Sequence, residues 1–269
     1  MQVGELVAVV AFEGPWECPF SHSKSPATGA DNVMPPVDGK DKNDADKLGK
    51  NVRENYANKL EHDVTITVGT KESTHKVQYT PHHLVPGNET WPDTKLLRWV
   101  DKKDGQISND IGYSVNHAAN GVDLPGIHGI GSSAWSGKSK PFQKEYAFAA
   151  MLVSTPKRQF HDRHPKYSAF VVNSLDAIAE KLDKKNDGKT PGCDNKKCGG
   201  SKKKPFDPPV ELVTRLNGVA MRLEGYLTGP PSNWRKPILT SRFALMYMRR
   251  AASLTQDQAR AEMSAMPVG

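Results

Sequence analysis

Val77-Gln78-Tyr79-Thr80-Pro81-His82-His83-Leu84-Val85-Pro86 is the stretch on which the reading of this chain turns. Two adjacent histidines stand between prolines at the end of an alternating apolar run. Side chains of neighbouring strand residues point to opposite sides, so both rings can serve one site only where the strand ends or kinks. Proline at each edge provides such a place.

Working outward, Val64, Ile66 and Val68 alternate with Thr65, Thr67 and Gly69, and Lys71-Glu72-Ser73 carries turn chemistry. His62 to Thr80 therefore reads as a β-hairpin that delivers the chain to the histidines. Downstream, Asn120-Gly121-Val122-Asp123-Leu124-Pro125 reads as a short strand stopped by proline, and His161-Asp162-Arg163-His164-Pro165-Lys166-Tyr167 opens a helix. That helix, Pro165 to Leu182, has proline in its first turn and apolar residues at Tyr167, Phe170, Val171, Leu175, Ile178 and Leu182.

These three blocks resemble the AHH branch of the HNH, or His-Me finger, nuclease superfamily. Its pattern is a His-His-hydrophobic-Pro step, an Asn-Gly-hydrophobic-x-Leu-Pro segment and a His-Pro-x-Tyr helix start. All three occur here in that order, over roughly Val77 to Leu182. The resemblance implies an α+β fold with a ββα-metal core, additional helices and a long insertion. It also implies a metal-dependent endonuclease in which His82 ligates one divalent metal (Mg2+, Mn2+ or Zn2+) and His83 is the general base. By the same resemblance Asn120 orients His83, His164 is a second ligand and His161 a third. His161 and His164 are three apart, whereas the helix histidines of colicin-type members are four apart. A further departure is the run of about 35 residues from Gly126 to Phe160, which separates the second block from the third. Phosphodiester hydrolysis agrees with this division of labour: it requires a deprotonated water and a positive charge near the phosphate. A neutral imidazole with an ordinary pKa of about 6.5 accepts a proton at physiological pH.

Of the other residues, Tyr167 falls on the apolar stripe of its helix and belongs to the core, and nothing ties His117 or His128 to chemistry. Cys18, His22, Cys193 and Cys198 together make a candidate structural zinc site. Otherwise Cys193 and Cys198 would be free thiols or form a local disulfide, and Cys18 would be buried. Three cysteines are too few for a disulfide framework.

The 269 residues fit one large domain or two small ones. Four regions are expected: 1–60, an N-terminal strand (Gln2 to Phe12) and a polar loop from Ser21 to about Lys50; 61–183, the nuclease core; 184–208, a basic Gly/Lys-rich loop; and 209–269, C-terminal helices packing on the core. Helices are expected at Glu145 to Ser154, Val210 to about Leu227 and Ser241 to Met263, with a short one around Leu96 to Val100. The formal charge is +7, and eight lysines against two aspartates between Lys184 and Lys204 account for +6 of it. A mobile lysine loop suits phosphate backbones, with Lys196, Lys197, Lys202, Lys203 and Lys204 as its nucleic-acid contacts; a merely solubilising loop has the same composition. Imidazole and metal chemistry serves DNA and RNA alike; aromatic and basic residues are not interleaved in the manner of single-strand binders, which favours duplex DNA without sequence preference as partner and leaves RNA as the alternative.

The mean hydropathy is −0.62, and the longest apolar runs, Leu6 to Phe12 and Ala147 to Val153, are far short of the roughly 18 residues a membrane helix requires. Glu5 precedes the first of them and no basic residue occurs before Lys24, so no signal peptide is expected. The family is found largely among bacterial polymorphic toxins. The resemblance thus implies an antibacterial effector with a cognate immunity protein, cytoplasmic in the producer and carried into the target cell by a machine such as type VI secretion. Two readings from other classes stand beside it: a non-catalytic nucleic-acid-binding module with a structural metal, and a Cys-His hydrolase using Cys18.

Overall fold

A computed structural model describes residues 44–53, 61–100, 111–162, 164–185 and 212–253. Among these, β1 (Glu61–Val68), β2 (Lys71–His83) and β3 (Gly121–Pro125) form one sheet in that order. The longer helices are α1 (Ala45–Val52), α2 (Lys140–Val153), α3 (Pro165–Lys185), α4 (Leu212–Thr228) and α5 (Arg242–Ser253). The fold is α+β, a small antiparallel sheet with helices. No described helix is long and apolar enough to cross a membrane. The strand expected at Gln2 to Phe12 lies outside the described residues.

β1 and β2 pair antiparallel from Glu61↔Gln78 to Val68↔Lys71. The turn is therefore Gly69-Thr70, not Lys71-Glu72-Ser73. Gly69 takes a φ of 64°, which an L side chain rarely adopts. Lys71 to Thr74 look like turn residues because the tip of the hairpin is exposed on both faces. Leu84 N–H donates to the Asn120 carbonyl (2.9 Å) and Gly126 N–H to the Gln78 carbonyl (3.2 Å), so β3 runs antiparallel along β2.

Contacts divide the chain into two units, and the division falls inside three continuous elements: β2 between Thr80 and Pro81, β3 between Val122 and Asp123, and α3 between Tyr167 and Ser168. One unit holds the hairpin up to Thr80, residues 123–162 and 164–167, and residues 225–253. Its core follows from period-2 burial: Val64, Ile66, Val77 and Tyr79 on one hairpin face meet Tyr146, Ala147, Ala150 and Met151 of α2, together with Trp135, Phe160, Trp234 and Phe243. Ser139 caps α2 through the Phe142 N–H, and proline stands in its first turn. Tyr146 Oη donates to the Lys76 carbonyl at 2.9 Å. The run from Gly126 to Phe160 is thus not an appendage: it supplies much of this core. Gln159 ties in the C-terminal segment, donating to the Tyr226 carbonyl (3.1 Å) and accepting from Thr240 N–H (3.0 Å).

The other unit holds 44–53, 81–100, 111–122, 168–185 and 212–224. Its α3 portion buries Phe170, Val171, Leu175, Ile178 and Leu182, the stripe that spacing predicts. The segment after β2 is pinned to α3 by polar contacts. Asp176 accepts from the Thr94 hydroxyl and the Lys95 N–H, both at 2.7 Å, and Asp183 accepts from Trp99 Nε1 (3.1 Å) and pairs with Arg98. The short helix expected at Leu96 to Val100 is a 3-10 helix, Lys95–Trp99. Where a polar loop is expected up to about Lys50, the structure has α1. Asp44 caps it, accepting from Lys47 N–H, and its buried positions are only Leu48 and Gly49. A helix of eight residues with so narrow a buried face leaves no apolar period to read.

Candidate metal centre and general base

β2 ends at His83, and both His82 and His83 are buried. His83 Nε2 lies 2.8 Å from Asn116 Oδ1. Asn116, itself buried, also accepts the Asp44 N–H at Oδ1 (3.0 Å) and the Asn51 side-chain amide at its carbonyl (2.6 Å). Asn120, to which the resemblance gave the orienting task, serves the loop instead. Its Nδ2 donates to the carbonyls of Val85 (2.9 Å) and Val115 (2.8 Å), and its Oδ1 accepts the Val85 N–H (2.8 Å). Both amide hydrogens are committed to backbone, so Asn120 shapes the turn after the histidine pair, and Asn116 holds the ring. Asn116 lies outside the three sequence blocks, and a contact across 33 residues leaves no local signal.

The helix-side histidines are positioned by β3 and by the start of α3. His161 N–H donates to the Pro125 carbonyl at 2.8 Å, within an isolated parallel bridge Gly126↔His161. His164 precedes Pro165, and its carbonyl accepts the Tyr167 N–H at 2.9 Å, so it closes the first turn of α3. The ring of Tyr167, buried as expected, meets the His164 ring edge-on at 5.4 Å. His161 Nε2 and His164 Nε2 are 3.0 Å apart. Burial first, then the proximity of His164 and His128, pulls the His161 pKa down to about 3, so its ring is neutral at physiological pH and keeps a lone pair. His117 caps the turn before Asn120, its Nδ1 accepting the Ala119 N–H.

The structure thus brings the His161 and His164 ring nitrogens together, and His82 stands buried near the end of β2. Two nitrogens each about 2.0–2.1 Å from a tetrahedral ion stand roughly 3.4 Å apart, close to the observed 3.0 Å. Convergent imidazoles fit a divalent transition metal.

Residues 67–193 match the model of AHH, a nuclease family of the HNH/ENDO VII superfamily with a conserved AHH. This segment belongs to the AHH nuclease family. The AHH match supports endonuclease activity for this segment, with nucleic acid as its substrate class. In the AHH triplet itself this chain has Pro81 before His82-His83, and α1, α4 and α5 lie outside the AHH match. No curated protein and no solved structure matches the chain. The zinc candidates Cys18, His22, Cys193 and Cys198, and the lysines Lys196, Lys197, Lys202, Lys203 and Lys204, lie outside the described residues.

Proposed function

We propose that this AHH endonuclease is metal-dependent and cuts duplex DNA, with His83 taking the proton of the attacking water and His82, His161 and His164 holding one divalent metal. The observation that carries the reading is the His161–His164 pair, two ring nitrogens 3.0 Å apart with His161 kept neutral. When bound, such a metal supplies a positive charge that stabilises the phosphate and the departing oxygen in the transition state. An all-imidazole set favours a zinc-class ion over Mg2+, which binds through oxygen. His83 is buried and held by Asn116, which supplies the fixed ring position that general-base catalysis requires. Lys196, Lys197, Lys202, Lys203 and Lys204 engage the phosphate backbone, and the absence of interleaved aromatic and basic residues supports duplex DNA over single strands.

As its setting we propose an antibacterial effector, carried from the producer cytoplasm into a target cell and neutralised by an immunity protein. The support for this is the family resemblance.

The test is metal analysis of protein purified without chelator, followed by stripping and add-back of Zn2+, Mn2+ or Mg2+ with supercoiled plasmid and structured RNA as alternative substrates. Plasmid cleavage should disappear on stripping and return best with a transition metal. Chelator-resistant cleavage would sink the metal role, and cleavage of RNA alone would sink the DNA assignment.

A further inference from the structure

We propose that α1, which precedes the AHH segment, completes the catalytic centre by fixing Asn116, and that Asn116 is a positioning residue holding His83 as its Nε2–H tautomer. This rests on the reading of His83 as general base.

A backbone N–H can only donate, so the Asn116 atom 3.0 Å from the Asp44 nitrogen is the amide oxygen and not the amide nitrogen. The same oxygen lies 2.8 Å from His83 Nε2. An amide oxygen carries no hydrogen, so Nε2 must donate. A neutral imidazole has one N–H, and its lone pair therefore sits at Nδ1. Nδ1 is the nitrogen that takes the proton from water.

Swapping the amide would turn two donors on each other at Asp44 and leave His83 to reverse its tautomer, and Asn116 is 1% exposed. Its backbone is held as well: the carbonyl accepts from Asn51 Nδ2 at 2.6 Å, and the N–H donates to Ser114 Oγ at 3.2 Å. Both donors from the N-terminal side, Asp44 N–H and Asn51 Nδ2, flank α1 or lie on it.

Gly121 brings the helix this close. A Cβ at 121 would stand 2.4 Å from Val52 Cγ2 and 2.7 Å from Leu48 Cδ1, separations that real side chains do not show. The glycine of the Asn120-Gly121 pair is thus needed for helix approach, with no positive φ involved.

The experiment uses the full chain labelled with ¹⁵N-histidine, with His83 assigned by its absence from the His83→Ala spectrum. Long-range ¹H–¹⁵N correlations above pH 7 should show a protonated Nε2 and an unprotonated Nδ1. Asn116→Asp, which keeps an oxygen in place, should preserve that pattern. Asn116→Leu should give mixed tautomers and lower cleavage on the order of 10²-fold, with DNA affinity unchanged. Asn51→Ala, at an exposed helix position, should give a smaller loss in a protein whose core is intact. A wild-type His83 protonated at Nδ1, or an Asn116→Leu protein with unchanged tautomer or unchanged cleavage, would overturn the proposal. An inactive His83→Ala beside a fully active Asn116→Leu defeats the clamp alone. A His83→Ala protein that cuts at the wild-type rate defeats the base reading itself.

Discussion

Gly121 and Val52 are in contact so close that a single methyl group cannot be added between them. Because Val52 is β-branched and stiff, Gly121→Ala must push α1 outward rather than rotate one side chain aside. We expect a loss of about 1–3 kcal/mol in urea unfolding, together with a fall in cleavage as the Asp44 and Asn51 donors retreat from Asn116. Wild-type stability and activity in this variant would contradict the packing.

Asn120 and Asn116 should separate experimentally. Removing the Asn120 side chain leaves one buried N–H and two buried carbonyls around Val85 and Val115 with the lost partner, each costing about 1–3 kcal/mol if unsatisfied. Asn120→Ala should therefore lower the melting temperature by several degrees. Asn120→Asp should do so too, because its second oxygen would face two carbonyls. An unfolding free energy equal to that of wild type would show that the loop does not depend on these bonds.

The depressed pKa of His161 gives folding a pH dependence of definite sign. In metal-free protein the folded ring stays neutral down to about pH 3, while the unfolded chain takes up the proton below about pH 6.5. Its contribution is complete above about 6.5 and is lost as pH falls from there toward 3. The stability gap between wild type and His161→Gln, measured by urea unfolding in chelator at pH 7, 6 and 5, should drift in favour of the variant. A constant gap would mean that the ring titrates normally.

His161 and His164 should also be separable from His83 by metal content. Either one changed to alanine should reduce bound metal well below the wild-type level after dialysis, since two of the convergent nitrogens come from this pair. His83→Ala should retain it. Equal metal content in all three proteins would remove the helix pair from the ligand set.

Much of the architecture was legible because burial imposes a period. The alternation of Val64 and Ile66, the α3 stripe and the proline that closes β3 reappear in the structure, whereas β2 runs on through Pro81 to His83. Two features were not. α1 buries only Leu48 and Gly49 and was read as polar loop, although Asp44 is a good N-cap. Gly129, in a Gly-Ser-rich stretch, is pressed against the hairpin, where a Cβ would stand 2.1 Å from the Lys76 carbonyl oxygen. The same composition marks a linker and a close approach, and only the partner strand decides between them. At the site, the three histidines with a metal-ligating pattern were visible as motif positions. Asn116 was not, because hydrogen-bond partners distant in sequence leave no spacing to read.

The most direct test of the account is cleavage of supercoiled plasmid by wild type and by His83→Ala, each purified with bound metal and assayed with and without EDTA. The account predicts nicked and linear products from wild type alone, abolished by EDTA, with His83→Ala slower by about 10²- to 10⁴-fold at unchanged metal content. Cleavage by His83→Ala at the wild-type rate would contradict it.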